Sequence, residues 1–138
     1  MIMDNISKWT EDLTVGIDEI DNQHKELFRA ANKLFDAAKS GKDLKEIEGV
    51  FAFLEGYVLD HFGLEEEYMD KFHYSDSALH KAKHKDFLVE FLKLKSELKR
   101  TDAPNYLSLV IEGWLYKWLN NHFGNEDRAL GKFLKHRI

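Results

Sequence analysis

Between residues 43 and 72, apolar side chains fall at Ile47, Phe51, Leu54 and Val58, and the same spacing of three and four continues through His61, Glu65 and Met69. That spacing puts all seven on one face of a helix. Three further stretches show the same period. Residues 19–39 carry Ile20, His24, Leu27, Phe28, Ala31, Leu34, Phe35 and Ala38. Residues 76–99 carry His80, His84, Phe87, Phe91, Leu94 and Leu98, and residues 104–122 carry Leu107, Ile111, Trp114, Trp118 and His122. Residues 1–18 lack helical periodicity, so Trp9, Leu13, Val15 and Ile17 read as anchors of an extended arm.

The boundaries have local causes. Asp18 or Asp21 is placed to cap the first helix, and Ser40-Gly41 ends it. Asp43 caps the second, and Ser75 or Asp76 restarts the chain into the third. Thr101-Asp102-Ala103-Pro104 is a turn with proline set to open the fourth helix. Gly124 interrupts that helix and leaves residues 125–138 as a short helical tail. Four amphipathic helices with short connections predict an all-α, up-down-up-down antiparallel four-helix bundle, one domain over residues 1–138.

Each of the four stripes is broken by imidazole or carboxylate. In an up-down bundle, the start of the first helix, the end of the second, the start of the third and the end of the fourth share one end. His24, His61, His84 and His122 each lie roughly 16 to 20 residues from a helix-joining turn, at 1.5 Å per residue. Their depths therefore agree to about one helical turn. A histidine on an apolar face is usually a satisfied core residue, but five of the chain's seven histidines fall in this one layer. His73 and His136 fall outside it and read as surface residues. Burying so many polar groups without partners is costly, and a metal is the natural compensation. The set is His24, His61, Glu65, His80, His84, His122 and, beyond Gly124, Asp127. It exceeds what one ion can accept, so two are implied. Imidazole with carboxylate and no thiolate suits iron, zinc, copper or manganese.

Composition narrows the setting. The chain has 138 residues, one proline, no cysteine and a formal net charge of -5, with lysine and glutamate interspersed. The lack of cysteine removes disulfides, iron–sulfur clusters and thiolate sites, and is compatible with a reducing cytoplasm. No basic patch of the kind nucleic acid requires is present. No apolar run approaches signal-peptide or membrane-span length. The aromatic residues Trp114, Trp118, Phe87 and Phe91 read first as core.

Taken together, Gln23-His24, His61-Phe62 with Glu65-Glu66, His80-x-x-x-His84, and His122 with Asp127 resemble the ligand pattern of the hemerythrins, specifically the single-domain bacterial kind. Trp9, Val15-Gly16 and Ile20-Asp21 resemble the lead-in of the same family. The resemblance runs essentially end to end, and no ligand position departs from the pattern. It implies two non-haem irons per chain, one held by His80, His84 and His122 and the other by His24 and His61. Glu65 and Asp127 would bridge them together with an oxo or hydroxo group. Five imidazoles, two bridging carboxylates and one bridging oxygen fill all but one position of two octahedral ions, which leaves room for one small exogenous ligand.

The resemblance further implies reversible O2 binding, for carriage, storage or delivery, and no enzymatic turnover. Leu27, Phe62, Trp118, Leu119 and Phe123 match apolar positions of the family's O2 pocket, although core packing explains them equally well. The expected setting is a cytoplasmic monomer, with an O2-consuming enzyme as recipient and no nucleic-acid or membrane partner. The alternatives are a di-iron enzyme reducing peroxide or nitric oxide, an O2 sensor acting through a partner, and metal storage.

Overall fold

The computed structural model describes residues 7–98 and 103–138. A short 3-10 turn, Glu11–Leu13, interrupts the arm. It is followed by α1 (Asp18–Lys39), α2 (Leu44–Lys71) and α3 (Ser77–Ser96). The fourth arm of the bundle is a continuous helical run: α4 (Ala103–Val110), a π-helical segment Ile111–Leu115, α5 (Tyr116–His122), a second π segment Phe123–Asp127, and α6 (Arg128–Leu134). The result is the expected four-helix bundle, and there is no strand among the described residues.

Helix ends follow local chemistry with two exceptions, one being the start of α3, where Asp76 holds the N-cap position without a side-chain capping bond. The Asp43 carboxylate accepts the Glu46 N–H at 2.8 Å and caps α2. The chain leaves α1 through Ser40 and turns at Gly41, whose φ of 70° suits a residue without Cβ. The other exception is the start of α1. Its N-cap is Ile17, with no side-chain cap. Asp21 instead reaches back to the arm and accepts the N–H groups of Val15 at 2.9 Å and Gly16 at 3.3 Å. A carboxylate that serves as an arm anchor is unavailable as a cap. The turn expected at Thr101-Asp102 lies outside the described residues.

Two apolar clusters fill the bundle. The larger includes Leu27, Leu34, Phe51, Leu54, Phe87, Phe91, Leu119 and Phe123. The smaller joins Val15, Ile17, Ile20, Met69, Tyr74, Leu130 and Leu134. Along α1 the order is Ile20, His24, Leu27, and along α2 it is Phe62, Glu65, Met69. The polar layer is thus bracketed by apolar packing on both sides. Arm residues Leu13, Val15 and Ile17 are buried, as the sequence pattern predicted, and His73 and His136 are exposed.

The fourth arm departs from expectation in two ways. No break occurs at Gly124. The residues read as a tail continue the helix, and Leu130 and Leu134 close the smaller cluster. Trp114 and Trp118 are half-buried, whereas Leu115, Tyr116 and Leu119 occupy the core. A π turn holds more residues than an α turn, so the segment Ile111–Leu115 rotates the buried face away from the positions that an uninterrupted α period selects.

Candidate metal centre

All seven expected residues meet in one buried layer, each at most 2% exposed. α1 contributes His24, α2 contributes His61 and Glu65, and α3 contributes His80 and His84 one turn apart. α5 ends on His122, and the following π segment ends on Asp127. Residues five apart diverge by roughly 140° around an α-helix. The π segment Phe123–Asp127 brings Asp127 back to the side of His122, and their Oδ1 and Nε2 lie 3.0 Å apart. The local backbone irregularity therefore sits where the site needs it.

Donor atoms fall into two overlapping groups. Glu65, His80, His84, His122 and Asp127 offer atoms all within 4.8 Å of one another, as do His24, His61, Glu65 and Asp127. Glu65 and Asp127 belong to both. Within the first group, Glu65 Oε1 lies 3.1 Å from His84 Nε2 and 3.5 Å from His80 Nε2. In the second, Asp127 Oδ2 lies 2.7 Å from His24 Nε2 and 3.3 Å from His61 Nε2.

The donor chemistry fits metal ions. Glu65 Oε2, His80 Nε2, His122 Nε2 and Asp127 Oδ1 are buried without an aligned hydrogen-bond partner. A native core almost never leaves four such atoms unsatisfied in one place. They converge on each other, as a shared cation requires.

The outer nitrogens explain why the inner ones are available. His61 Nδ1 donates to Gln23 Oε1 at 2.8 Å, His84 Nδ1 to Glu66 Oε2 at 2.8 Å, and His122 Nδ1 to Glu126 Oε1 at 2.9 Å. Each acceptor holds the proton on Nδ1 and turns the Nε2 lone pair inward. Gln23, Glu66 and Glu126 were given no role on sequence grounds. Gln23 and Glu66 stood in the family motifs without an assigned partner, and they act across helices; Glu126 stood in no motif, although it lies four residues from His122 on the same helical run.

Electrostatics without a metal are correspondingly strained. Burial drives the His24 pKa down to about 4 and that of His84 to about 2. Burial also opposes charge on His122, but Asp127 and Glu126 outweigh it and raise its pKa to about 9. Burial, then Asp127, push the Glu65 carboxyl well above its usual range. Asp127 is held well below its own, because His122 and its histidine hydrogen bonds overcome burial.

At pH 7 the metal-free site thus carries a proton on His122 that a metal must displace. Metal affinity is expected to rise with pH up to about 9, with protons released on loading. Titration in weakly buffered solution measures both, and a flat affinity between pH 6 and 9 would contradict the assignment. The sign for stability of the metal-free fold follows by linkage. The His122 contribution is complete below its ordinary pKa of 6.5 and lost as pH rises through about 9. The contribution of neutral His24 is present above 6.5 and lost as pH falls through about 4.

Aromatic rings wall the layer. Phe123 stacks on His24 with centroids 3.5 Å apart, and Phe62 stacks on His84 at 3.8 Å. Trp118 lies over His122 at 4.4 Å. Leu27 and Leu119 are buried in the adjoining apolar cluster. Of the five positions expected around an O2 pocket, Phe62, Trp118 and Phe123 therefore lie against histidines of the site.

Comparison with known proteins agrees with this geometry. The family model described as the hemerythrin HHE cation binding domain matches residues 15–134. The chain belongs to the hemerythrin family. It is 36% identical over 131 residues to a bacteriohemerythrin of Pseudomonas aeruginosa, covering 94% of this chain and 82% of the relative. It is 30% identical over 127 residues to a bacteriohemerythrin of Stenotrophomonas maltophilia, covering 92% and 80%. A crystal structure of wild-type hemerythrin superposes with a TM-score of 0.75 at 30% identity, covering 91% of this chain and 95% of that one. As in a hemerythrin domain, a buried His/Glu/Asp cluster suited to metal lies inside a helical bundle. No helix among the described residues is long and apolar enough to cross a membrane.

Proposed function

We propose that this hemerythrin-family chain binds O2 reversibly at a non-haem di-iron centre. His80, His84 and His122 would hold one iron, His24 and His61 the other, with Glu65 and Asp127 bridging. The observation that carries the reading is the pair of overlapping donor groups that share two carboxylates. One shared carboxylate is common in a single-ion site; two, flanked by three and by two imidazoles, suit an ion pair. A ferrous pair held by these residues would supply the electrons that O2 uptake needs.

The protein's own part is to limit and protect that chemistry. Five neutral imidazoles against two carboxylates keep the anionic charge low, in contrast to the carboxylate-rich sites of ferritin-like di-iron oxidases. Low anionic charge gives little support to high-valent iron and so favours release over cleavage. Phe62, Phe123 and Trp118 cover imidazole faces and exclude the water and stray protons that would make uptake irreversible. Carriage, storage or delivery to an O2-consuming enzyme follows from such reversibility, and the cysteine-free composition accords with a cytoplasmic setting.

The test is iron content, followed by absorption spectra of the reduced protein before air, in air and then under argon. Two irons per chain with a band that grows in air and fades under argon is the expected result. Two irons that oxidise at once, with steady consumption of peroxide or nitric oxide from an electron donor, would replace the carrier with an enzyme.

A further inference from the structure

The hydrogen bonds behind the histidines divide unequally between the two donor groups. In the group with three histidines, His84 is backed by the Glu66 carboxylate at 2.8 Å and His122 by the Glu126 carboxylate at 2.9 Å. In the group with two, His61 is backed by the neutral Gln23 amide at 2.8 Å. The Nδ1 atoms of His24 and His80 have no hydrogen-bond partner among the described residues. The outer partners therefore bring two negative charges to one half of the site and none to the other. Glu66 and Glu126 are both half-buried, so each stands between solvent and the dry interior with its carboxylate against a histidine Nδ1.

We infer that Glu66 and Glu126 polarise the metal pair, making the three-histidine half the more readily oxidised. The inference rests on the di-iron reading above. An imidazole whose N–H donates to a carboxylate pushes density toward its inner nitrogen and becomes a stronger donor. An amide acceptor orients the ring equally well but adds no charge. Two such carboxylates on one ion stabilise its ferric state, while the ion facing Gln23 retains more Lewis acidity. The histidine count alone would already make the halves unlike. The outer shell adds to that difference, since both carboxylates fall on the half that has more imidazoles. In a one-electron oxidation by ferricyanide, the electron passes to ferricyanide and leaves the three-histidine half first.

Glu66→Gln and Glu126→Gln test this, because each keeps an oxygen acceptor for Nδ1–H and removes only the charge. The full chain is loaded with ferrous iron, its content measured, and its two oxidation steps followed by potentiometric titration with Mössbauer spectra at half-oxidation. Each substitution is expected to shift the oxidised-to-reduced ratio of the first step about tenfold toward reduced, which is ~59 mV for a one-electron couple. Gln23→Glu is expected to move the second step the opposite way and bring the two steps together. Fully loaded variants with unchanged potentials would overturn the inference. So would loss of iron in place of a potential shift, which would assign the carboxylates to metal retention. A wild-type protein that holds no iron pair would be seen at the first step and would overturn the di-iron reading itself.

Discussion

Glu65→Ala is expected to reduce iron from two per chain to less than one while leaving the bundle folded. Glu65 belongs to both donor groups, and its Oε1 lies within 3.1 to 3.5 Å of Nε2 of His84, His61 and His80. Its loss would remove a donor from both groups at once and leave Asp127 as the sole shared carboxylate. A histidine such as His24 serves only one half, so His24→Ala should be the milder change. Stability should respond in the opposite sense in the metal-free protein. Burial, then Asp127, raise the pKa of this fully buried carboxyl there, and removing it relieves a desolvation cost at the expense of a small cavity. Far-UV circular dichroism with metal analysis separates the two effects. Two irons retained per chain in Glu65→Ala would refute the bridging assignment.

The second large effect is expected at a residue outside both donor groups. Gly131 in α6 packs against the arm so closely that a Cβ there would lie 2.2 Å from the Val15 carbonyl oxygen and 2.9 Å from Val15 Cβ. The opposing atoms are backbone and Cβ, which cannot swing aside as a side-chain tip can. Gly131→Ala must therefore displace the arm, and with it the Val15 and Gly16 N–H groups bonded to Asp21. The helix-propensity gain of about 1 kcal/mol is the opposing contribution. Overpacking of this severity costs roughly 1–3 kcal/mol or more, so a net fall in Tm of several degrees is expected by calorimetry. Gly56→Ala provides the contrast. That glycine is exposed in α2 with nothing within 4 Å of the new Cβ, and only the propensity gain remains, so Tm should rise. A Gly131→Ala protein as stable as wild type would show that the arm does not dock as described.

The arm matters for the site because of where it lies. Leu13 is buried, and a Cβ on Gly124 would sit 3.6 Å from its Cδ2. Gly124 belongs to the π segment that aims Asp127. The arm thus lies against the π segment that carries Asp127, and its displacement in Gly131→Ala is expected to speed iron loss to a chelator as well as lower Tm.

Much of this architecture is local in origin. A spacing of three and four specifies a helix and its buried face wherever the chain keeps to the α period, and so the faces of α1, α2 and α3, with His24, His61, Glu65, His80 and His84 upon them, were legible residue by residue. The matching depths of the histidines then required only a fixed rise per residue and short turns. The limits of that reasoning appear where the period changes. Across Ile111–Leu115 and Phe123–Asp127 the widened turns rotate the buried face, moving Trp114 and Trp118 outward and carrying Asp127 back beside His122. Nothing in a linear period foretells a π turn, because its cost is met by contacts with other helices and by the site it serves.

The same division separates the ligands from their supports. Histidine and carboxylate on an apolar stripe declare themselves by being out of place. Gln23, Glu66 and Asp21 stood in the family motifs, but their partners did not show, because by period alone they look like ordinary residues of a half-polar helix surface. Which imidazole Gln23 and Glu66 meet depends on how neighbouring helices are rotated and translated against one another: Gln23 precedes His24 in sequence yet bonds His61, and Glu66 follows Glu65 yet bonds His84. Amino-acid order determined the helices and the identity of the inner donors, since both are set by short-range periodicity and residue chemistry. Only the packed bundle decided the outer hydrogen bonds, the register of the fourth arm and the docking of the N-terminal arm against Gly131, since each depends on distances between segments remote in the chain.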